Sequence, residues 1–149
     1  MNEGNEYYWL GFYELGKGSI VYPGNWGRIK NKAFAASPNI LKELIYENVR
    51  LRLYPAYPSR LNSIFVCPSL EEIIKYQKIT SKVTEVIHKV KLVNVEANKT
   101  MTDWNKFTLA QNDSYELAEQ RAREYWEGKN IANPEILIES AIEIMDIHK

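Results

Sequence analysis

Residues 135–147 read Glu-Ile-Leu-Ile-Glu-Ser-Ala-Ile-Glu-Ile-Met-Asp-Ile, and the interpretation of this stretch decides the fold. Positions 137, 141 and 145 fit the spacing of a helix, and Asn133-Pro134 would suit a helix start. The isoleucines favour a strand instead, because β-branched side chains pack well on a pleated sheet. We therefore predict a strand over 135–147. Four of its side chains would share one face: Ile136, Ile138, Ile142 and Ile144.

The same strand would place its acidic residues on the opposite face. Glu135, Glu139 and Glu143 alternate with these isoleucines, together with Leu137 and Ala141. A solvated face is one interpretation of this pattern. The alternative is that Glu135, at the start of the strand, points into a cleft at the end of a sheet. A carboxylate there can hold a ribose hydroxyl and stabilise a positively charged sugar transition state, as in glycoside hydrolysis.

The composition is that of one globular domain spanning residues 1–149, with 45% hydrophobic and 26% charged residues. Nineteen Lys and Arg balance nineteen Asp and Glu, which argues against a dedicated duplex-DNA binder without excluding a local basic groove. The single cysteine, Cys67, forbids an internal disulfide, and the Cys and His clusters of a zinc site are missing. No signal peptide or membrane span is recognisable, so we expect a cytoplasmic protein with no metal and no membrane contact.

The remaining elements predict an α+β fold, a compact sheet with helices packed on it. An aromatic cluster predicts a first strand, and a glycine-rich stretch after it predicts a loop. Further strands and helices follow from apolar runs, capping residues and helical spacing. The predicted strands are 6–13, the apolar run that ends the stretch 59–67, 83–95 and 135–147. The loop is 16–28, and the helices are 38–53, 115–127 and one beginning at the capping box Ser69–Glu72.

Two further stretches are candidate binding sites. In the loop 23–28, Trp26 can stack on a base and Arg28 can pair with a phosphate, although an ordinary surface turn would look the same. Arg60, just before an apolar strand, is not expected in the core, and Ser63 is small enough to lie under a ligand. A polar strand entrance is the alternative. Arg60 also lies near Arg50 and Arg52 in the sequence, as either a basic strip for single-stranded nucleic acid or a solvated helix end.

Taken together, these motifs resemble a small bacterial and phage family of domains with the ADP-ribosyltransferase fold. The resemblance covers roughly residues 7–147. It is carried by the aromatic first strand, Leu15–Gly24, Ser59–Glu72, Tyr125–Gly128 and Pro134–Glu139.

The resemblance implies an α+β fold in which two small sheets, flanked by helices, form a cleft for NAD. Glu135 matches the late glutamate that contacts the nicotinamide ribose, with Glu139 as the second choice. Ser63, with Arg60 beside it, matches the serine of the central strand, and the first-strand position falls at Tyr8 or Trp9. Trp26 and Arg28 would complete the NAD site, with Arg28 or Arg60 on the pyrophosphate.

The activity implied is NAD-dependent mono-ADP-ribosyl transfer, with NAD as substrate and a protein or single-stranded nucleic acid as acceptor. Small enzymes of this fold often act as toxins paired with an antitoxin, or in phage–host conflict. Three features depart from the family pattern. The first strand lacks the usual His or Arg, and the usual Ser-Thr-Ser triplet is absent, since Ser63 is followed by Ile64. Asn133 replaces the acidic residue or Gln two positions before the glutamate. These departures leave two alternatives, a non-catalytic nucleotide-binding or interaction module of the same fold and an NAD glycohydrolase.

Overall fold

The computed structural model describes residues 5–31 and 37–149 and contains seven strands and four α-helices in these ranges. The strands are β1 (Glu6–Gly11), β2 (Ile20–Val21), β3 (Ile64–Val66), β4 (Val86–Leu92), β5 (Lys99–Asp103), β6 (Pro134–Ile138) and β7 (Ile142–His148). The helices are α1 (Asn25–Asn31), α2 (Pro38–Leu53), α3 (Leu70–Ile79) and α4 (Tyr115–Glu127), with 3-10 turns at Arg60–Asn62 and Trp104–Lys106. Within the described ranges, none of the helices combines the length and apolarity that crossing a bilayer requires.

The strands form two antiparallel sheets, so the predicted α+β class is confirmed. One sheet has the order β1-β4-β7-β2 and the other has the order β3-β6-β5. A short bridge joins them, in which the Tyr8 N–H donates to the Cys67 carbonyl at 3.0 Å and the Cys67 N–H donates to the Tyr8 carbonyl at 2.8 Å. The two sheets are therefore connected through hydrogen bonds as well as through packing.

The isoleucine-rich segment is extended, as predicted, but it forms two strands rather than one. β6 lies in the three-stranded sheet and β7 in the four-stranded sheet, with a turn at 139–141 between them. The turn is held by Ser140, whose hydroxyl accepts from the Asn94 N–H at 3.1 Å and donates to the Ala141 carbonyl. The predicted common face of the glutamates is therefore wrong. Glu135 is buried, Glu139 is exposed in the turn, and Glu143 belongs to the other sheet.

Three apolar clusters hold the elements together. The first contains side chains from both sheets and includes the four isoleucines that the sequence placed together. The second joins α2 and α4 to the three-stranded sheet through Tyr46, Trp126 and Leu137, each exposed by 2% or less. The third packs α3 against β1 and β4. Because β6 contributes Leu137 to the second cluster and its neighbours to the first, the strand is covered on both faces.

Capping residues and helical spacing predicted several elements correctly. Helices α2 and α4 have the predicted limits, and the Ser69 hydroxyl accepts from the Glu72 N–H as the capping box requires. Gly128 ends α4 with a φ of 73°, the left-handed conformation that favours glycine.

Other boundaries differ from the prediction. The first strand ends at Gly11, β4 is shorter than 83–95, and β5 lies in a stretch that no pattern marked. The apolar run within 59–67 forms β3, and the polar residues before it form a 3-10 turn. The predicted loop 16–28 contains β2 and the start of α1. Gly27 suggested a loop there, but a Cβ at this position would lie 2.2 Å from the Leu61 carbonyl oxygen. Glycine is therefore required by the close approach of α1 to the 3-10 turn.

Candidate functional site

A cavity of about 760 Å³ is lined by residues of β1, α1, α2, β3, α3 and β6. Its size is within the range of roughly 300–1,000 Å³ that is usual for small-molecule sites. Five of the six site residues predicted from the sequence line this cavity. They are Trp26, Arg28, Arg60, Ser63 and Glu135.

Tyr8 is the sixth residue, and it does not line the cavity. Its side chain packs with Cys67, Ile73 and Ile87 in the cluster beneath α3. Successive side chains of a strand point to opposite faces, so Trp9 takes the place on the cavity wall. Trp9, and not Tyr8, is therefore the first-strand candidate that lines the cavity.

Arg60 is buried with 8% of its surface exposed, so the prediction that it lies outside the core is wrong. Its Nε donates to Glu43 Oε2 at 3.1 Å, its Nη2 donates to Glu43 Oε1 at 3.2 Å, and its Nη1 donates to the Tyr125 hydroxyl at 2.8 Å. The guanidinium carbon also lies 3.6 Å from the centre of the Phe107 ring. Burial lowers the pKa of Arg60, but Tyr125 and Glu43 outweigh it and hold the pKa above its ordinary value. The guanidinium is therefore a fixed cation beneath the cavity.

Glu43 also lines the cavity, although no sequence pattern indicated it. It is 2% exposed and accepts a hydrogen bond of 2.6 Å from Trp26 Nε1, in addition to the Arg60 contacts. Two apolar residues on either side of it, Leu41 and Leu44, are exposed instead. The signal was the spacing of Glu43 three residues before Tyr46, which places both on the buried side of the helix.

Glu135 lies at the start of β6 and is 6% exposed. Its backbone is held in the middle of the three-stranded sheet, where its carbonyl accepts from the Thr102 hydroxyl at 3.2 Å. Its Oε1 is 4.0 Å from Arg60 Nη1. Burial raises the pKa of Glu135, while Arg60 and then Lys82 act to lower it. Arg60 thus lies between two buried carboxylates, those of Glu43 and Glu135.

Arg28 and Ser63 occupy different depths of the site. Arg28 is exposed at the cavity mouth and has no ion-pair partner within the described part of the chain. Ser63 is 2% exposed and donates its hydroxyl hydrogen to the Ser59 carbonyl at 2.6 Å. The Gly24 N–H donates to the Ser63 carbonyl at 3.4 Å, which ties the start of the Trp26–Arg28 segment to β3. Arg28 is available to a ligand at the entrance, whereas the Ser63 oxygen can act as an acceptor.

The three arginines that were a candidate basic strip are each neutralised by a carboxylate. Arg50 pairs with Glu47 at 2.7 Å, Arg52 pairs with Glu119, and Arg60 pairs with Glu43. Arg50 and Arg60 are also buried. A nucleic-acid strip at these positions is therefore not formed.

Three more residues complete the end of the cavity near Glu135, and no sequence pattern indicated them: Tyr76, Lys82 and Trp104. The Tyr76 hydroxyl accepts from Lys82 Nζ at 3.3 Å, and its ring meets Trp104 edge-on with centroids 5.3 Å apart. Burial raises the pKa of Tyr76, so its hydroxyl keeps its proton and can donate to a ligand. Cys67 also lines the cavity, and it is buried, which raises the pKa of its thiol.

One family model matches this chain. Its description is "Protein of unknown function (DUF2441)", and it covers residues 24–149. The match includes α1, Glu43 and the five predicted residues on the cavity, whereas β1 precedes it. A comparison with curated proteins finds no match.

Proposed function

The chain belongs to the DUF2441 family, whose description assigns no activity, and we propose that it is an NAD-dependent mono-ADP-ribosyltransferase. NAD is the substrate, and the fold would be that of the ADP-ribosyltransferases. One observation carries the proposal. Glu135 is a buried carboxylate at the start of a central strand, on a cavity whose walls also hold aromatic rings and arginines. The sequence motifs that resemble ADP-ribosyltransferases converge on this same residue.

The residues of the cavity fit the parts of NAD. Trp26 and Phe65 form an edge-to-face pair, with centroids 6.3 Å apart, and offer a surface for a flat ring. Arg28 is exposed at the mouth and suits a pyrophosphate, which a guanidinium can bind through two hydrogen bonds. Arg60 is already engaged by Glu43 and Tyr125, so we assign it the positioning of Glu135 rather than a phosphate contact.

The chemistry follows from the charge of Glu135. The bond between the nicotinamide nitrogen and the anomeric carbon of the ribose breaks, and its electron pair leaves with neutral nicotinamide. Positive charge develops on the ribose, and an ionised Glu135 stabilises it in a site of low dielectric constant. An acceptor nucleophile bonds to the same carbon and loses its proton to solvent. Because burial raises the pKa of Glu135, the Arg60 guanidinium is needed to keep this carboxylate ionised.

The test uses NAD labelled on the adenylate, incubated with the purified chain and a cell extract. We expect transfer of label to macromolecules by the wild type and its loss in Glu135→Gln. Glu139→Gln is the matched control, since Glu139 is exposed in the turn after the same strand. Equal transfer by wild type and Glu135→Gln would contradict the proposal, as would the absence of both transfer and nicotinamide release.

The same resemblance supports a role as a toxin, held by an antitoxin or used in phage–host conflict. Expression of the wild-type chain in a bacterial host would then arrest growth, and expression of Glu135→Gln would not. Growth arrest by both variants would contradict a toxic activity that depends on Glu135.

One observation favours a second candidate, a nucleotide-binding module without catalysis. Trp9 stands on the cavity wall where the resembled family carries His or Arg on its first strand. A tryptophan supplies a stacking surface but no charge for the ribose or amide of NAD. Calorimetric titration separates the candidates, because the module would bind NAD with equal affinity in wild type and Glu135→Gln and release no nicotinamide from either.

A further inference from the structure

The mouth of the cavity carries aromatic side chains that are exposed to solvent. Phe12 is 70% exposed, Tyr13 is 79% exposed and Tyr22 is 69% exposed, and all three line the cavity. Two isoleucines on the same border, Ile20 and Ile29, are 42% and 45% exposed. We call Phe12, Tyr13 and Tyr22 the aromatic rim. An apolar border of this kind around a cavity is typical of an interaction surface.

The aromatic rim comes from two separate parts of the chain. Phe12 and Tyr13 follow β1, and Tyr22 follows β2. β1 and β2 are the opposite edges of the four-stranded sheet, which at three strand spacings is roughly 14 Å wide. The register also places Phe12 and Tyr22 past opposite ends of β7, so the two groups are separated along the strands as well. A single small ring cannot contact both groups at once. An occupant of the whole rim therefore needs several flat groups along an extended chain.

Among the described residues that line the cavity, the charged side chain exposed to solvent is a cation, Arg28. Lys42 is half-buried on α2, with its Nζ 4.4 Å from the centre of the Phe107 ring. Three carboxylates line the cavity among the described residues, and none of them is exposed. Glu43 and Glu135 are buried beside Arg60, and Glu85 is half-buried. The rim thus combines stacking surfaces with positive charge, the combination by which proteins bind single-stranded nucleic acid.

We propose that the aromatic rim binds a single-stranded nucleic acid, and that this strand is the acceptor of the ADP-ribosyl group. The acceptor role rests on the proposed function. Bases would stack on Phe12, Tyr13 and Tyr22. In the absence of NAD a phosphate of the strand would also pair with Arg28, which holds the pyrophosphate when NAD is bound. A base nitrogen bearing hydrogen then bonds to the anomeric carbon of the ribose and loses a proton to solvent, as nicotinamide leaves with the electron pair. A duplex is excluded because its bases have no free faces for the rim.

Fluorescence anisotropy tests the binding surface without NAD. The probes are fluorescein-labelled 12-nucleotide single strands of RNA and DNA, and the same sequence as a duplex. We expect the duplex to bind at least tenfold more weakly, and each of Phe12→Ala, Tyr13→Ala and Tyr22→Ala to weaken single-strand binding by about tenfold. Tyr115→Ala is the matched control, because Tyr115 is 62% exposed on α4 and does not line the cavity. Equal effects of Tyr22→Ala and Tyr115→Ala would overturn the proposal, as would equal binding of the duplex.

The salt dependence of binding tests the phosphate contact. Arg28→Ala should weaken binding and reduce the slope of log affinity against log salt by about 0.7, the contribution of one phosphate contact on a single strand. Arg123→Ala is the control, since Arg123 is exposed on α4 and does not line the cavity. An unchanged slope in Arg28→Ala would overturn the phosphate assignment. Self-association through the rim, seen as a dimer that Tyr22→Ala abolishes in sedimentation velocity, would overturn nucleic acid as its occupant.

The labelled product separates this proposal from the proposed function. Label that nuclease removes and protease does not, and that Tyr22→Ala reduces, supports the acceptor role. Label that only protease removes overturns the acceptor role and leaves the transferase intact. Single-strand binding without cleavage of NAD supports the rim and contradicts the transferase.

Discussion

The indole N–H of Trp26 donates a hydrogen bond of 2.6 Å to Oε1 of Glu43, which links the ring on α1 to the buried ion pair beneath the cavity. The same carboxylate binds Arg60 through two of its nitrogens. Trp26, which we assign to substrate binding, and Arg60, which lies beside Glu135, are therefore held by the same carboxylate.

Removal of Glu43 should destabilise the protein. Glu43→Ala leaves the buried charge of Arg60 without its main partner, and we expect the free energy of unfolding to fall by about 3–5 kcal/mol. Urea denaturation followed by circular dichroism measures this change. The control is Glu119→Ala, whose partner Arg52 lies at the surface, with an expected loss of less than about 1 kcal/mol. Similar losses in the two variants would show that the buried ion pair contributes no more to stability than the surface pair.

We expect the Glu43–Arg60 ion pair to be required for NAD cleavage and to add little to the stability of the fold. Replacing both partners, with Glu43→Leu and Arg60→Met together, removes the ion pair and fills the space with apolar groups. Such replacements are often neutral or stabilising, so we expect the double variant to regain most of the stability lost in Glu43→Ala. We also expect it to lose NAD cleavage. Wild-type cleavage by the double variant would exclude a role for Arg60 in positioning Glu135.

The pH profile of NAD cleavage should depend on Arg60. The guanidinium favours the ionised form of Glu135, so Arg60→Gln should raise the pKa of Glu135 further. Since only the carboxylate is active, the acid limb of nicotinamide release should move to higher pH. Arg52→Gln is the control and should leave the limb in place. A uniform loss of rate at every pH in Arg60→Gln would indicate a purely structural residue.

Glu135 should reduce stability at neutral pH. Burial raises its pKa in the folded state, so its contribution to stability is present below the unfolded pKa and is lost as pH rises through the folded pKa. Glu135→Gln removes the charge, and we therefore expect its Tm at pH 7 to exceed that of the wild type, by a margin that shrinks at pH 4. Differential scanning calorimetry measures both values. A lower Tm for Glu135→Gln at pH 7 would contradict this expectation.

His88 should make the protein sensitive to acid. It is fully buried, its Nε2 accepts from the Leu15 N–H at 3.0 Å, and its Nδ1 donates to the Val86 carbonyl at 3.0 Å, so the ring must be neutral. Burial lowers its pKa, and its contribution to stability is therefore lost as pH falls from about 6.5 towards the folded pKa. We expect Tm to fall between pH 7 and pH 5, less so in His88→Leu. His148→Gln, at an exposed position, should behave as the wild type.

Gly27 should be essential for the position of Trp26. A Cβ at Gly27 would lie 2.2 Å from the Leu61 carbonyl oxygen, so Gly27→Ala must displace α1. We expect a loss of about 1–3 kcal/mol in the free energy of unfolding together with weaker NAD binding. Gly16→Ala is the control, since a Cβ there meets nothing within 4 Å. Unchanged NAD binding in Gly27→Ala would place Trp26 outside the substrate site.

Local chemistry explains which elements could be predicted from the sequence. The limits of α2 and α4 were correct because Pro38, Ser114 and Gly128 act within one turn of the helix end. The division of 134–148 into two strands was not predictable in this way. It depends on the turn at 139–141 and on the sheet in which each strand is paired. The isoleucines stay at every second position on both sides of the turn, so their alternation does not reveal it.

The residues of the candidate site could also be predicted only where local sequence features marked them. Residues were found where their type stood out in a loop or at a strand start, as with Trp26, Arg28 and Glu135. Arg60 was found for the wrong reason, because its partner Glu43 is seventeen positions earlier and only the fold brings the two together. Glu43 was missed because a single carboxylate in a helix resembles an ordinary surface residue. Tyr8 and Trp9 could not be separated, since the face of β1 that borders the cavity is set by tertiary packing.

Each end of β6 lies next to a connection between the two sheets. At one end the turn at 139–141 leads into β7. At the other, Val66 pairs with Ile136, so the bridge between Cys67 and Tyr8 lies beside Glu135. The backbone of Glu135 therefore lies beside the hydrogen bonds that join the two sheets.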